Sequence, residues 1–142
     1  MTAKQYLSQV KVYRRIIAHK CKQRNELHDN ISFIRGLDYS RDRVQAAPGE
    51  GMTGVAIKLA DFDLELCDTI EKYSRKIDEV INRIHALDNM LYVECLYQFY
   101  VEGKSLDAIS FDIGYSYSHL AHIHGEALRA FEKANPDIAN LT

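Results

Sequence analysis

Tryptophan is absent from the sequence and proline occurs only twice. No stretch of about 18 uncharged apolar residues is present, which argues against a membrane-spanning helix. Scarce proline and a charged fraction of 27% argue against a disordered or low-complexity chain. The first residues also lack the charged-then-apolar order of a secretory signal. We therefore expect an ordered, cytoplasmic protein with no membrane partner.

Cysteine pairs with metal-binding or redox spacing are missing as well. Cys21, Cys67 and Cys95 are odd in number and far apart in the sequence. This spacing argues against a disulfide framework and against a cysteine zinc site. We expect all three to be small buried side chains.

The sequence patterns that usually indicate catalysis are also missing. It contains no G-x-S-x-G, no H-E-x-x-H and no glycine-rich phosphate loop that follows a predicted strand. His119 and His122 share a helix face, but two histidines form at best a partial metal site. We therefore predict a protein that is not an enzyme and that has no cofactor and no metal site.

Two long stretches carry apolar residues at steps of three and four, the period of an amphipathic helix. The first covers about residues 3–35 and the second about residues 55–86, and the segment 36–54 between them contains four of the seven glycines. The pattern predicts an all-α fold in which a long antiparallel helical hairpin (residues 1–86, with a loop at 36–54) precedes a helix-turn-helix bundle (residues 87–135). Residues 136–142 are predicted to be a frayed tail, because Pro136 ends the helical potential.

The segment from Ser105 to Phe131 has the features of a helix-turn-helix. Ser105 and Ser116 are placed to cap two successive helices, and Gly114 lies between them, where a tight turn requires positive φ. Tyr115 takes the place of an apolar residue in this turn, so we expect it to point inward. The apolar positions of the two helices are Leu106, Ile109, Ile113, Leu120, Ile123, Ala127, Leu128 and Phe131.

This segment resembles region 4 of bacterial sigma factors, in which a capped T-L-x-E-I-G/A-x-x-L-G-V-S run precedes a recognition helix that ends in A-L-x-x-L. The whole chain also resembles a group of short phage-encoded regulators of the ArpU/RinA type, through its opening Ala3–Leu7 and the run Tyr39–Gln45. The resemblance implies a phage or prophage transcription regulator in the bacterial cytoplasm that binds double-stranded DNA and has possible contact with RNA polymerase.

The candidate DNA-binding residues follow from this resemblance. They are Ser116, Tyr117, Ser118, His119, Ala121, His122 and Arg129. The first turns of the second helix carry no arginine, so the bidentate contact between arginine and guanine that is commonest in the major groove is impossible there. Weak phosphate contacts are assigned to Lys104 and to three residues of the first helix, Arg14, Arg15 and Lys22. The segment 1–35 that contains these three carries eight basic and two acidic side chains.

Three interpretations of the arginine-free helix stay open. Tyr117, Ser118 and His122 contact base edges, with the Ala121 methyl group facing thymine. Alternatively, the basic first helix supplies the phosphate contacts, and the last helix sets the register of the protein on the DNA duplex. In the third, the fold serves as a protein-only adaptor, since residues 86–135 carry seven acidic and three basic side chains.

The long hairpin also favours self-association. An apolar stripe on an extended helix pair leaves surface for a second chain, so we expect a homo-oligomer, with a dimer favoured. A competing interpretation from another functional class is a DNA-packaging or structural oligomer that resembles a small terminase subunit. A closed ring of many subunits in solution would favour that interpretation over regulation.

Overall fold

The computed structural model of the chain describes residues 1–40 and 50–141, and it describes side chains for residues 1–30 and 54–141. All regular secondary structure in this part is helical, which confirms the all-α fold class. The five α-helices are α1 (Ala3–Ser40), α2 (Glu50–His85), α3 (Met90–Leu96), α4 (Leu106–Ile113) and α5 (Tyr117–Ala134). None of these helices combines the length and apolar character that crossing a bilayer requires.

The predicted loop at 36–54 was too long at both ends. Helix α1 continues to Ser40 and α2 already begins at Glu50. Each glycine lowers the stability of a helix by only about 1 kcal/mol relative to alanine, so Gly36, Gly51 and Gly54 do not end these helices. The remainder of the predicted loop, residues 41–49, lies outside the described residues.

The chain divides into two compact units. One, which we call the main unit, is formed by Met1–Arg14 together with Ser74–Thr142, and the other, the hairpin unit, is Arg15–Tyr73. Helices α1 and α2 contribute to both. This division differs from the sequence-based boundary at residue 86, because the start of α1 and the end of α2 pack with the C-terminal helices.

Packing within the main unit joins the two ends of the chain. The ring of Tyr6 lies 6.0 Å from that of Phe131, and the backbone amide of Ala3 donates to the Glu132 carboxylate at 3.0 Å. Buried residues from α1, α2 and α5 form this core: Leu7, Val10, Val80, Ile84, Ala127 and Phe131. Their burial supplies most of the stabilisation, since each large apolar side chain contributes roughly 1.5–3 kcal/mol.

The two long helices run antiparallel within each unit. In the main unit the rings of Tyr6 and Tyr13 of α1 lie 5.4 Å from the cationic groups of Arg83 and Lys76 of α2, respectively. In the hairpin unit Lys20 pairs with Glu65 at 3.4 Å, and Arg24 pairs with Asp63 at 2.9 Å. Within each unit the α2 partner number falls as the α1 number rises, so these contacts show the predicted antiparallel hairpin.

Helix α3 is capped by Asn89, whose side chain accepts from the Leu91 amide at 2.9 Å. It continues as a π-helical turn over Tyr97–Val101, in which the Glu102 amide donates to the Tyr97 carbonyl, five residues earlier, at 3.0 Å. This wider turn buries the consecutive residues Tyr100 and Val101. The 3.6-residue period of apolar residues in the sequence does not predict this π-helical turn.

The predicted frayed tail was wrong for residues 136–141. Residues Pro136–Asn140 form a 3-10 helix, and Ile138 is only 1% exposed. Asp137 pairs with Arg83 of α2 at 2.8 Å, and this neighbouring guanidinium lowers the pKa of the carboxyl group. An isoleucine two residues after Pro136 thus returns the chain to the core.

The expectation of three buried cysteines was correct for Cys95 only. Cys21 is partly buried and Cys67 is exposed. Cys67 lies off the apolar seam that α2 directs towards α1, so its helical position leaves it on the surface.

Candidate nucleic-acid interface

The caps and the turn of the predicted helix-turn-helix are present in the structure. The Ser105 hydroxyl accepts from the Ala108 amide at 3.2 Å, and the Ser116 hydroxyl accepts from the His119 amide at 3.2 Å. Between them Gly114 ends α4 with φ of +85°. Both serines satisfy an amide that the first helical turn leaves without a backbone partner.

A small apolar cluster fixes the orientation of α5. Its buried members, Cys95, Ile109, Leu120 and Ile123, come from α3, α4 and α5. Since the inner face of α5 is held by this cluster, the opposite face is presented to solvent in a defined orientation.

The outer face of α5 carries most of the candidate DNA-binding residues. Ser116, Tyr117, Ser118, His119, His122 and Arg129 are exposed, and Ala121 is partly buried. Ser118, His122 and Arg129 follow each other at helical spacing along this face, and Gly125 lies between the last two. Gly125 places no side chain between His122 and Arg129, which leaves space there for close approach to another surface.

The N-terminal end of α5 is electrostatically suited to an anion. Its first turn contains no acidic side chain, and the helix dipole places partial positive charge on the unpaired amides there. A phosphate group would find N–H donors at this end without an arginine.

His122 has a carboxylate partner on the same helix. Its Nε2 atom lies 3.0 Å from Oε1 of Glu126. The other oxygen of Glu126 accepts from the Tyr92 hydroxyl at 3.0 Å, and this bond raises the pKa of Tyr92. Glu126 therefore places negative charge next to the candidate DNA-binding surface, which opposes the approach of phosphate groups.

The DNA-binding candidate Arg129 and the predicted phosphate contact Lys104 differ in their surroundings. Arg129 is exposed and makes no ion pair with a described residue. Lys104 lies 3.1 Å from Asp112 and 3.3 Å from Glu102, and the hydrogen bonds to these carboxylates raise its pKa. Its charge is thus compensated within the protein, which makes it a weak phosphate ligand.

The three basic residues of α1 that were predicted as phosphate contacts belong to different units. Arg14 donates from Nη1 to the carbonyl oxygen of Val101, so its guanidinium anchors the end of the π-helical turn. Arg15 and Lys22 are exposed but belong to the hairpin unit. Their role as phosphate contacts stays a prediction.

The expectation that Tyr115 points inward was wrong. Its side chain is 41% exposed and its ring lies 4.9 Å from that of His119. Phe111, which sequence reasoning missed, is 88% exposed. The exposure of Phe111 could have been predicted from the sequence, because a residue two positions after the buried Ile109 lies about 200° around the helix and faces away from the core.

The third histidine of α5 is structural. His124 is partly buried against Phe99, at a ring distance of 5.0 Å, and its Nε2 atom lies 3.0 Å from the Tyr100 hydroxyl. Burial, and to a smaller extent the positive charge of Lys4, lowers the pKa of His124. Among residues with described side chains, no group of three or more His, Cys, Asp or Glu is positioned to hold a metal ion.

Comparison with protein families, with curated proteins and with solved structures finds no match. The resemblance to sigma region 4 and to ArpU/RinA-type regulators therefore stays a prediction from the motif.

Proposed function

We propose that the protein is a transcription regulator of phage or prophage genes that binds double-stranded DNA through α5. The observation that carries the proposal is the capped helix-turn-helix, in which Ser116 and Gly114 fix the start of an 18-residue helix with an exposed polar outer face. In proteins with this motif the second helix lies in the major groove, and its first residues contact base edges.

The outer face offers hydrogen bonds in place of arginine. Tyr117, Ser118 and His122 present hydroxyl and imidazole groups to base edges, and Ala121 presents a methyl group that suits thymine. Free amides at the start of α5 and the guanidinium of Arg129 supply the phosphate contacts. With few positive charges involved, the affinity should depend only weakly on salt.

Selection of bound fragments from phage and host DNA, followed by fluorescence anisotropy on an enriched site, tests this function. We expect one enriched sequence and a shallow decrease of affinity with salt. Absence of any complex with intact protein at about 50 mM salt would contradict DNA binding, because salt weakens the phosphate contacts least under that condition.

Two substitutions test the orientation of the helix. His122→Ala should weaken binding to the selected site roughly tenfold or more, as expected for loss of a base contact. Glu126→Gln should strengthen binding, because it removes a negative charge beside His122. Met90→Ala is the matched control, since Met90 is 69% exposed and lies on α3 rather than α5. The affinity of this variant for the selected DNA site should be unchanged.

A second candidate is a protein adaptor that uses the outer face of α4. The observation that favours it is the exposure of Phe111, at 88%, since a large exposed aromatic side chain flanked by polar residues is typical of protein interfaces. Phe111→Ser should then abolish binding to purified RNA polymerase while DNA binding by α5 stays intact. Loss of DNA binding in this variant, with no effect on polymerase, would exclude the adaptor role.

A further inference from the structure

The hairpin unit lacks a core of its own among the described residues. None of the residues 15–30 or 54–73 is buried, whereas every buried apolar residue of the described chain belongs to the main unit. Two helices alone bury only one stripe each, so their seam stays half exposed. Packing against further helices is what normally stabilises such a pair.

A second apolar stripe lies on α2 outside this seam. Ile57, Ala60, Leu64 and Cys67 are all exposed, with Ile57 at 55% and Leu64 at 67%. Their spacing of three, four and three residues is that of a helix-packing seam. The stripe is centred about 140° around α2 from the seam with α1, so a helix packed on it would lie on a different side of α2 from α1.

Charge distribution indicates what covers this stripe. Residues 15–30 of α1 carry four basic and two acidic side chains, and residues 54–73 of α2 carry two basic and five acidic ones. Within one chain these charges already pair, as in Arg24 with Asp63 at 2.9 Å. A second hairpin can repeat the same pairing on the other side of α2, because it carries the complementary basic segment.

We propose that the stripe formed by Ile57, Ala60, Leu64 and Cys67 binds a second copy of this chain. The basic α1 segment of each copy lies against the acidic α2 segment of the other, which gives an assembly of four helices with alternating charge. The helix seam and the stripe are then both buried. This dimer is independent of DNA binding, because no residue of α5 takes part in it.

Sedimentation velocity of the full chain over a concentration series tests the proposal. We expect the wild type to reach twice the chain mass of 16.3 kDa. Leu64→Glu should raise the dissociation constant of the dimer by about a hundredfold or more, because two large apolar contacts are lost and two charges are desolvated. Lys58→Glu changes an exposed position of α2 outside the stripe and should weaken the dimer by less than about tenfold.

The thiol of Cys67 gives a second measurement without substitution. It is the exposed cysteine of the chain, whereas Cys95 is buried, so iodoacetamide should modify Cys67 first. In the dimer the second copy covers this thiol, and its alkylation rate should fall as protein concentration rises. Leu64→Glu should keep the fast rate at every concentration, and retained helical circular dichroism will show that the variant is folded.

Three outcomes would overturn the proposal. One is a wild type that stays at the mass of one chain at every concentration. Another is a dimer that Leu64→Glu and Lys58→Glu weaken equally, or one in which Cys67 reacts at a rate independent of concentration. The third is a closed ring of many subunits, which would require a contact that repeats from head to tail rather than a self-complementary one.

Discussion

Gly114 determines the turn of the helix-turn-helix at the scale of a single residue. Its φ of +85° is unfavourable for a residue with a Cβ atom, although no atom would lie within 4 Å of that Cβ. We expect Gly114→Ala to lower the free energy of unfolding by about 1–2 kcal/mol, through backbone strain alone. Urea denaturation followed by circular dichroism measures this change.

A matched control for that substitution lies in α5. A Cβ at Gly125 would meet only the Nη2 atom of Arg129, at 3.9 Å, and the backbone there is helical. Gly125→Ala should therefore raise the free energy of unfolding by about 0.5–1 kcal/mol. Equal effects of the two substitutions would contradict the assigned role of Gly114.

His124 should make stability depend on pH. Its pKa is lowered in the folded protein, first by burial and then by Lys4, so below the ordinary value of about 6.5 the unfolded chain binds more protons than the folded chain. Stability should therefore decrease as pH falls from about 7 towards 5. Thermal unfolding over this range should show a smaller pH dependence for His124→Gln than for the wild type.

His119→Gln is the control for this measurement, because His119 is exposed at the start of the same helix. It should keep the pH dependence of the wild type. If the two variants behave alike, the acid sensitivity of the protein arises from groups other than His124.

At the scale of an element, the C-terminal 3-10 helix is held by Ile138. This side chain is 1% exposed, and its truncation leaves a cavity in the main unit. Ile138→Ala should lower the free energy of unfolding by about 2–4 kcal/mol. The control is Leu141→Ala, since Leu141 is 42% exposed and should contribute less than about 1 kcal/mol. A decrease of similar size in both variants would mean that the tail is not specifically packed.

Local chemistry decided which elements could be predicted from the sequence. Ser105, Gly114 and Ser116 act within a few residues of their own position, so the boundaries of α4 and α5 follow directly from them. The packed tail depends on contacts of Ile138 and Asp137 with distant residues, and the π-helical turn depends on how Tyr100 and Val101 fit the core. Neither leaves a periodic signal in the sequence.

The candidate site follows the same division. Exposure of Ser118 and His122 was predictable, because both lie opposite the apolar stripe of α5. The contact between His122 and Glu126 was accessible from their spacing of four residues, whereas the anchoring of Arg14 to Val101 was not, since 87 residues separate the two.

At the scale of the whole molecule, the two compact units should differ in their resistance to local opening. The main unit contains all buried apolar residues of the described chain, and the hairpin unit contains none. At low protein concentration, amides of 16–30 and 54–73 should therefore exchange with deuterium faster than those of α3 and α5.

Hydrogen exchange at higher protein concentration extends this comparison. If a second copy covers the hairpin unit, protection of its amides should rise with concentration, while protection of α5 should stay constant. Uniform exchange rates across both units at every concentration would contradict the difference in burial on which the expectation is based.

The π-helical turn limits the number of residues that this part of the chain can contain. Between the cap at Asn89 and Gly103, the segment with this turn contains one residue more than an α-helix of the same length would. Deletion of a single residue, such as Gln98, would restore α-helical hydrogen bonding but rotate Leu91 and Cys95 by about 100° relative to Val101. Cys95 would then leave the cluster that orients α5. Insertions and deletions in this segment are therefore more damaging than most substitutions.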